Sequence, residues 1–321
     1  MEGLFKYSTF FDQELVKLSF PSTPSNLYDP LTYFLSLGGK RIRPLLTLLT
    51  AELMGSTKEN AFHAAISIEY FHNFSLIHDD IMDNAPLRRN NPTVHTKWNS
   101  NTAILSGDVL LVKAYSSLGF YTDSLSDLFQ LFNKTATEVC EGQQMDMDFE
   151  LRNDVLISEY LEMIRLKTSV LIGCSLEMGA IIGGASNEQR ALLYRFGEQI
   201  GIAFQLQDDI LDLFGETDSV GKQIGGDIVA NKKTFLLLRA IESANETQLI
   251  AINKMLTERD NDLKIQQAKS IFIECNVLSD TKELMLFYYS NAMEAISQLN
   301  LEQSKKEPFI ELADFLIQRD N

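Results

Sequence analysis

Two short acidic motifs, far apart in the chain, have the residue types and the spacing to bind a divalent cation. Each reads Asp-Asp-x-x-Asp, at Asp79–Asp83 and at Asp208–Asp212, within apolar sequence. Residues four positions apart lie on one face of a helix, so each motif would project two carboxylates side by side. One such motif alone could be a solvated helix face, but like charges at this spacing weaken a helix by roughly a few tenths of a kcal/mol. The repetition therefore indicates a magnesium site, since Mg²⁺ takes one or two carboxylates and leaves its other positions to water and phosphate.

The composition restricts the partners of such a site. The 321 residues carry a formal net charge of −16, and 45% of them are apolar. Nucleic acid is excluded as a partner because binding it usually needs a basic surface. An acidic protein that binds an anionic substrate must concentrate its positive charge locally or recruit a metal. Cys140, Cys174 and Cys275 show no metal-ligand spacing and are expected to be reduced core thiols.

The chain also lacks the signals of export or of a membrane span. Its first residues do not form a basic region followed by an apolar one, so no signal peptide is evident. The longest apolar run, from Val170 to Ala185, contains Glu177 and several glycines and is too short to cross a bilayer. We expect a cytoplasmic protein.

Helical periodicity runs through most of the sequence. Broad apolar faces recur in Leu45–Leu49, Ala64–Ile77, Ala103–Leu118 and Val155–Ile182, whereas alternating strands bounded by tight turns are absent. Pro308 favours a helix start there. No linker marks a boundary, so we predict one all-α domain over residues 1–321. It would be a bundle of roughly ten or more helices, with the most apolar helices in the middle.

Further motifs accompany the acidic ones in a fixed order. They are Gly38–Pro44 (Gly-Gly-Lys-Arg-Ile-Arg-Pro), Leu87–His95, Gly142–Asp146, Leu166–Thr168, Phe204–Gln205, Gly221–Ile228 and Asn231–Thr234. Together with the acidic motifs, this set resembles the trans-isoprenyl diphosphate synthases, also called polyprenyl synthetases, over about residues 30–240. The resemblance implies the isoprenoid synthase fold, a helical bundle around a central substrate cavity that commonly forms a homodimer.

The resemblance also implies the reaction. An allylic diphosphate ionises to a carbocation and pyrophosphate, and the cation is joined to isopentenyl diphosphate. Two to three Mg²⁺ ions would stabilise the charge on the leaving group. Asp79, Asp83 and Asp208 would be direct ligands, and Asp80, Asp209 and Asp212 would be ligands or support them. Gln143 and Asp146 would lie near the metals. No dedicated general base is apparent, and released pyrophosphate would accept the proton.

The resemblance to this family also divides the basic residues into two groups. Lys40, Arg43, His72 and Arg89 would bind isopentenyl diphosphate without metal, since guanidinium forks match phosphate geometry. Arg88, Lys167, Lys222 and Lys232 would neutralise the allylic diphosphate. Thr168 and Gln205 would present oxygen dipoles near the cation. Taken singly, each has a simpler interpretation: Lys40 and Arg43 could cap a helix near Pro44, His72 could be a half-buried histidine, and lone lysines are usually solvated.

One position departs from the family pattern. The family usually has glycine where this chain has Asn90, after Arg88 and Arg89. Glycine there indicates a backbone with positive φ, and asparagine is the next most tolerant residue, so we expect the turn to survive.

Residues before Asp79 indicate the product length. Ser75 lies one helical turn before Asp79 and Phe71 about two turns before, on the side of the aspartate. Phe74 is assigned to the tunnel by resemblance, because an aromatic residue five positions before the first aspartate limits elongation in this family. We predict a short-chain product, C15 or C20. The alternative is that Phe71 and Phe74 are ordinary core aromatics.

Three other functions compete with a prenyl diphosphate synthase. A terpene cyclase shares the ionisation step but needs no isopentenyl diphosphate site, and its second motif usually contains Asn, Ser and Glu. A non-catalytic subunit of a heteromeric synthase typically loses one acidic motif, and this chain keeps both. An acidic helical scaffold would leave the ordered basic motifs as coincidence.

Overall fold

The computed structural model describes residues 2–215 and 225–317. Within these ranges the chain is almost wholly helical, which confirms the predicted all-α class and the expectation of ten or more helices. The helices are α1 (Glu2–Lys17), α2 (Ser25–Ser36), α3 (Ile42–Leu53), α4 (Lys58–Met82), α5 (Val94–Lys97), α6 (Ser100–Leu118), α7 (Leu125–Glu150), α8 (Ile157–Ile164), α9 (Val170–Ile182), α10 (Asn187–Phe214), α11 (Gly226–Val229), α12 (Phe235–Ser243), α13 (Glu246–Leu256), α14 (Asn261–Glu274), α15 (Val277–Gln298) and α16 (Gln303–Ile317). A π-helical turn occupies Arg165–Ser169, and strands β1 (Leu87–Arg88) and β2 (Asn91–Pro92) pair antiparallel.

The described residues divide into two compact units. Unit 1 comprises those within Met1–Ala136, Leu171–Tyr194 and Asn300–Lys305. Unit 2 comprises those within Thr137–Val170, Arg195–Leu299 and Lys306–Asn321. The first acidic motif therefore belongs to unit 1 and the second to unit 2.

In unit 1, helices α3 and α4 form much of the core. Every residue from Pro44 to Ala51 is buried, as expected for a helix that is apolar around most of its circumference. The start of α4 is set by Thr57, whose side chain accepts a hydrogen bond from the Asn60 backbone N–H at 3.2 Å. Helix α4 then runs to Met82, so that its last turn carries the first acidic motif.

In unit 2, helix α10 is held by its apolar face. Ile210 and Leu213 pack into a cluster with Ile228 of α11 and with Leu236 and Leu237 of α12. Burying each such side chain contributes about 1.5–3 kcal/mol. This packing fixes the orientation of the last turns of α10, which carry the second acidic motif.

The segment Val155–Ile182 is more complex than the predicted apolar helix. It comprises α8, the π-helical turn Arg165–Ser169 and α9. Close backbone packing accompanies the turn, because a Cβ atom at Gly142 of α7 would lie 2.4 Å from the backbone nitrogen of Lys167. Only glycine fits at that position without a shift of the backbone.

The C-terminal helix begins earlier than predicted. It starts at Gln303, so the prediction of a start at Pro308 was wrong. A proline inside a helix forgoes one backbone hydrogen bond. Burial of Phe309, Leu312 and Leu316 compensates for that loss. No helix within residues 2–215 and 225–317 is both long enough and apolar enough to cross a membrane.

Candidate active site

The first acidic motif lies at the end of α4 and is contacted by an arginine from the β-hairpin. Asp80 is 1% exposed, Asp79 is partly buried and Asp83 is exposed. The backbone N–H of Asp83 donates to the Asp79 carbonyl at 2.8 Å, which closes the last turn. Arg88 donates from Nε to Oδ1 of Asp80 at 2.7 Å and from Nη2 to Oδ2 of Asp79 at 3.5 Å. A guanidinium thus bridges two carboxylates of the motif.

The environment of Asp80 bears on metal binding. Burial, aided by the nearby charges of Asp79 and Asp83, raises the pKa of Asp80 to about 6, against the opposing effect of Arg88. Its Oδ2 atom is buried and has no hydrogen-bond partner among the described residues. Within the described ranges, no three acidic, imidazole or thiol side chains form a ready-made metal site. Mg²⁺ prefers hard oxygen donors and needs only one or two carboxylates beside substrate phosphate, so this donor set fits that ion.

A cluster of guanidinium groups surrounds His72, which is also on α4. Nη1 of Arg43 lies 3.3 Å from Nε2 of His72. Burial, followed by the charges of Arg43, Arg89, Arg88 and Arg41, lowers the pKa of His72 well below its usual value. The ring is therefore neutral and can accept the hydrogen bond from Arg43. Burial also lowers the pKa of Arg43, to about 10.

The glycine pair before Lys40 gives the loop its path. Gly38 and Gly39 have φ of +74° and +136°, in the region that glycine adopts most readily. Nη1 of Arg89 donates to the Gly38 carbonyl oxygen. A Cβ atom at Gly39 would come within 2.9 Å of the Arg89 guanidinium. The loop thus lies directly against Arg89 and leads into the exposed Lys40.

The hairpin directs two adjacent arginines to different partners. Arg89 and Asn90 connect β1 to β2, with φ of +52° and +60°. Positive φ at both central residues is the pattern of a type I′ turn, and the expected positive φ of Asn90 is confirmed. Arg88 contacts the acidic motif, while Arg89 contacts the Gly38 carbonyl.

The aromatic residues assigned to product length are neighbours on α4. The rings of Phe71 and Phe74 have centroids 5.6 Å apart, and the Phe74 ring lies 4.7 Å from that of His78. Phe71 is 1% exposed, whereas Phe74 is partly exposed. Ser75 donates from Oγ to the His72 carbonyl at 2.8 Å. Phe71 and His78 thus restrict the orientation of the Phe74 ring from both sides.

In unit 2, the second acidic motif is supported by uncharged donors. The hydroxyl of Tyr160 donates to Oδ2 of Asp209, and both residues are buried. Gln205 also hydrogen-bonds the Asp209 side chain. In turn, Thr168 donates from Oγ1 to Oε1 of Gln205 at 3.4 Å. Thr168 and Gln205, predicted to act together, are therefore in contact.

The pKa of Asp209, like that of Asp80, is raised. Burial, reinforced by the charges of Asp227 and Asp208, raises the pKa of Asp209 well above its usual value, although the hydrogen bonds from Tyr160 and Gln205 oppose that rise. Asp209 lies in the interior, whereas Asp208 beside it is partly exposed.

Other predicted residues of unit 2 occupy the surrounding turns. Lys167 lies in the π-helical turn and donates from Nζ to Oδ2 of Asp146 at 2.6 Å. Oδ2 of Asp212 accepts from the Asp227 backbone N–H at 3.1 Å. Lys232 donates its own backbone N–H to the Asp227 carbonyl at 2.9 Å. Lys222 lies outside the described residues.

Several residues that bear on the site were not identified from the sequence. Glu69 and Asn73 are buried on α4, and Arg41 is buried too, although its motif alone predicts no role for it. Tyr160 and Asp227 were not singled out. A signal existed for Glu69, because a carboxylate within an otherwise apolar helical run is rarely buried without a partner. Tyr160 carried no comparable signal.

The described residues thus form an all-α fold that carries two acidic motifs, the first contacted by an arginine and the second by uncharged donors. The family model described as polyprenyl synthetase matches residues 24–272. A geranylgeranyl diphosphate synthase of Methanosarcina mazei is 36% identical over 316 residues, which cover 98% of this chain and 96% of the relative. A geranylfarnesyl diphosphate synthase of Natronomonas pharaonis is 36% identical, covering 92% of this chain and 91% of the relative. A crystal structure of a geranylgeranyl pyrophosphate synthase superposes with a TM-score of 0.94 at 44% identity, covering 99% of each chain.

This chain belongs to the polyprenyl synthetase family. It is a short-chain trans-prenyltransferase, as predicted, rather than a terpene cyclase or a helical scaffold. The family match extends beyond residues 30–240, the span over which the resemblance was drawn.

Proposed function

We propose that the protein condenses an allylic diphosphate with isopentenyl diphosphate and releases pyrophosphate and a C15 or C20 prenyl diphosphate. The observation that carries this proposal is that the adjacent residues Arg88 and Arg89 contact different partners. Arg88 contacts two carboxylates of the acidic motif, and Arg89 lies against the loop that carries Lys40. Arg88 would therefore belong to the acidic site that binds metal and the allylic diphosphate. Arg89 would belong to a basic site that binds isopentenyl diphosphate without metal.

Isopentenyl diphosphate would be bound by Lys40, Arg43, His72 and Arg89. The guanidinium groups of Arg43 and Arg89 offer paired N–H donors that match phosphate oxygens. Because His72 is neutral, it adds no charge to the cluster and holds Arg43 by accepting its hydrogen bond. The partial burial of Arg43 strengthens its attraction to a diphosphate.

The allylic diphosphate would be bound by Arg88, Lys167, Lys222 and Lys232. As its C–O bond breaks, the electron pair leaves with pyrophosphate, and these cations neutralise the developing charge. Thr168 and Gln205 would direct oxygen dipoles towards the allylic cation. The alkene of isopentenyl diphosphate then forms the new C–C bond, and a proton is lost to pyrophosphate to restore the double bond.

Mg²⁺ would be held by Asp79, Asp83 and Asp208, with Asp80, Asp209 and Asp212 as further ligands or supports. When bound, two to three such ions would supply Lewis-acid stabilisation of the departing pyrophosphate. The hydrogen bonds of Arg88, Tyr160 and the Asp227 backbone would keep the supporting carboxylates in place. Supports of this kind orient metal ligands and sustain affinity.

The product length would be set by Phe71, Phe74 and Ser75 on α4. The partly exposed Phe74 ring would close the tunnel beyond a C15 or C20 chain, and Ser75 leaves room beside it. Similarity to the geranylgeranyl diphosphate synthase of Methanosarcina mazei supports C20.

A homodimer in the cytoplasm is the proposed state of the protein. Its support in unit 1 is an exposed apolar surface on α6 and the start of α7: Leu105, Val112 and Phe129 are 58%, 63% and 47% exposed. The Phe129 ring also packs against Tyr115 of α6, with centroids 5.6 Å apart. Exposed apolar residues on one surface are a common feature of protein interfaces.

One assay tests the proposed reaction. The protein is incubated with Mg²⁺, isopentenyl diphosphate and each of dimethylallyl, geranyl and farnesyl diphosphate, and the products are separated by chain length. We expect linear C15 or C20 diphosphates and complete loss of turnover in chelator. Asp79→Asn should lower kcat by on the order of 100-fold or more, whereas Asp123→Asn, at an exposed position, should not. Cyclised hydrocarbon, or no turnover by the wild-type protein, would overturn the proposal.

A further inference from the structure

Helix α4 contains a buried carboxylate that the proposed reaction does not use. Glu69 is 1% exposed and lies three residues before His72. Nη1 of Arg41 donates to its Oε1 atom, and Nδ2 of Asn73 donates to the same oxygen at 2.5 Å. A charge so deeply buried is retained only where it is paired and hydrogen-bonded.

The partner arginine connects three elements of unit 1. Nη2 of Arg41 donates to the carbonyl oxygen of Leu35, in the last turn of α2, at 2.6 Å. Arg41 is itself 8% exposed and has φ of +49°, an uncommon backbone conformation for a residue with a side chain. Its two hydrogen-bonded contacts hold that conformation. They also tie the segment from Gly38 to Arg43 to both α2 and α4.

Glu69 also acts electrostatically on the diphosphate-binding arginines. Its charge raises the pKa values of Arg43 and Arg89, against the lowering that burial imposes on both. Several guanidinium groups close together would otherwise repel one another in a medium of low dielectric constant. Glu69 therefore offsets the charge of the cluster from within α4.

We propose that Glu69 is a positioning residue for isopentenyl diphosphate, holding Arg41 and thereby the loop that carries Lys40 and Arg43. This inference rests on the proposed function. The Glu69 carboxylate would repel a diphosphate, and Arg41 is already hydrogen-bonded to Glu69 and to the Leu35 carbonyl. Neither residue is therefore expected to contact the substrate directly. With Arg41 held in the interior, the loop can present Lys40 and Arg43 to the substrate.

The test separates the two substrates. Glu69→Gln keeps the size of the side chain and removes its charge. We expect its KM for isopentenyl diphosphate to rise on the order of 10- to 100-fold, the effect of a misplaced binding group. The KM for the allylic substrate and kcat should change by less than about threefold, because a loss confined to binding one substrate leaves them intact. Calorimetric titration of isopentenyl diphosphate alone should show the same loss of affinity without turnover.

Asn73→Ala keeps the test decisive if Glu69→Gln folds poorly, because it removes one hydrogen bond to Glu69 and should raise the same KM by a smaller factor. Where Glu69→Gln folds, it is also compared with Arg41→Gln and with the double variant. The double variant should bind isopentenyl diphosphate no more weakly than the weaker-binding of these two single variants, since both substitutions break one contact. Fully additive losses would show that the two residues act separately and would overturn the inference.

Glu177→Gln is the matched control. Glu177 is a partly buried glutamate of α9, near Lys134 and Arg190 in unit 1, and its substitution should leave the ratio of the two KM values unchanged. An equal rise of both KM values in Glu69→Gln, or unchanged isopentenyl diphosphate affinity in both Glu69→Gln and Asn73→Ala, would overturn the positioning role. Absence of elongation by the wild-type protein would instead overturn the proposed function, and the calorimetric comparison would still decide the role of Glu69.

Discussion

Tyr160 donates its hydroxyl hydrogen bond to Oδ2 of Asp209, and both residues are buried within unit 2. The corresponding aspartate of the first motif, Asp80, is instead bonded to the guanidinium of Arg88. A guanidinium compensates a buried negative charge, whereas a phenol offers only a dipole. The two motifs share a sequence pattern, but the middle aspartates differ in electrostatic environment.

Replacing Tyr160 by phenylalanine should weaken the second acidic motif. Asp209 would lose a buried donor, which typically costs about 1–3 kcal/mol. We expect a lower free energy of unfolding in urea and a higher Mg²⁺ concentration for half-maximal activity. Tyr289→Phe is the control, because Tyr289 also bonds an aspartate, Asp314, at 2.5 Å but lies outside the acidic motif. It should lose stability without a change in Mg²⁺ requirement; equal Mg²⁺ requirements in both variants would contradict the supporting role of Tyr160.

Protonation of His72 should make the protein less stable in weak acid, whereas Asp80, whose pKa is raised to about 6, acts in the opposite direction. Its pKa is well below the usual value in the folded protein, so the unfolded chain takes up a proton first, below about pH 6.5. The stability that His72 contributes is present above that pH and is lost as pH falls, with a slope approaching about 1.4 kcal/mol per pH unit. Urea unfolding between about pH 7.5 and 5.5 should show a shallower pH dependence in His72→Gln. Parallel profiles would show that His72 is not the group responsible.

Phe74→Ala should lengthen the product. The substitution removes the ring that is held between Phe71 and His78, and opens space beyond the proposed end of the tunnel. Chain-length analysis should show products longer than those of the wild-type enzyme. Phe62→Ala, a truncation of another aromatic residue on α4, should reduce stability and leave product length unchanged. If the products of Phe74→Ala had the same chain length as those of the wild-type enzyme, the assignment of Phe74 as the residue that closes the tunnel would be refuted.

Asn90→Gly tests the departure from the family pattern. Asparagine tolerates the observed φ of +60°, so we expect less than about a twofold change in kcat. Asn90→Val should be costly, since a β-branched residue is strained at positive φ, and should raise the KM for isopentenyl diphosphate through its neighbour Arg89. A large gain in turnover for Asn90→Gly would show that asparagine compromises the turn.

Val112→Lys should disrupt the proposed homodimer. A charge placed on the exposed apolar face of α6 could not be buried against a second copy without a large desolvation cost. Light scattering should show a monomer, or a dimer that dissociates at higher concentration than the wild type. Ile250→Lys, at a residue of α13 that is 70% exposed, should leave the oligomeric state unaltered. A stable dimer in both variants would place the interface elsewhere.

Much of the fold and of the candidate site follows from local sequence. Helical periodicity predicted the positions of α3, α4 and α6, because burial of one face requires apolar residues at helical spacing. The glycine or asparagine preference of a positive-φ turn likewise predicted the conformation of Asn90. The π-helical turn at Arg165–Ser169 was not predicted. It lies against Gly142 of α7, and local periodicity does not encode a contact of that kind.

The sequence alone predicted which residues would carry the chemistry: the aspartates at helical spacing, the basic motifs beside them, and the aromatic residues one to two turns before Asp79. Tertiary structure decided which partner each carboxylate has. Glu69 meets Arg41, and Asp209 meets Tyr160, across separations of 28 and 49 residues. Such contacts depend on how helices pack and loops close, which local periodicity does not encode. The two acidic motifs are therefore alike as sequence and unlike in their surroundings, because one lies against a guanidinium and the other against a phenol.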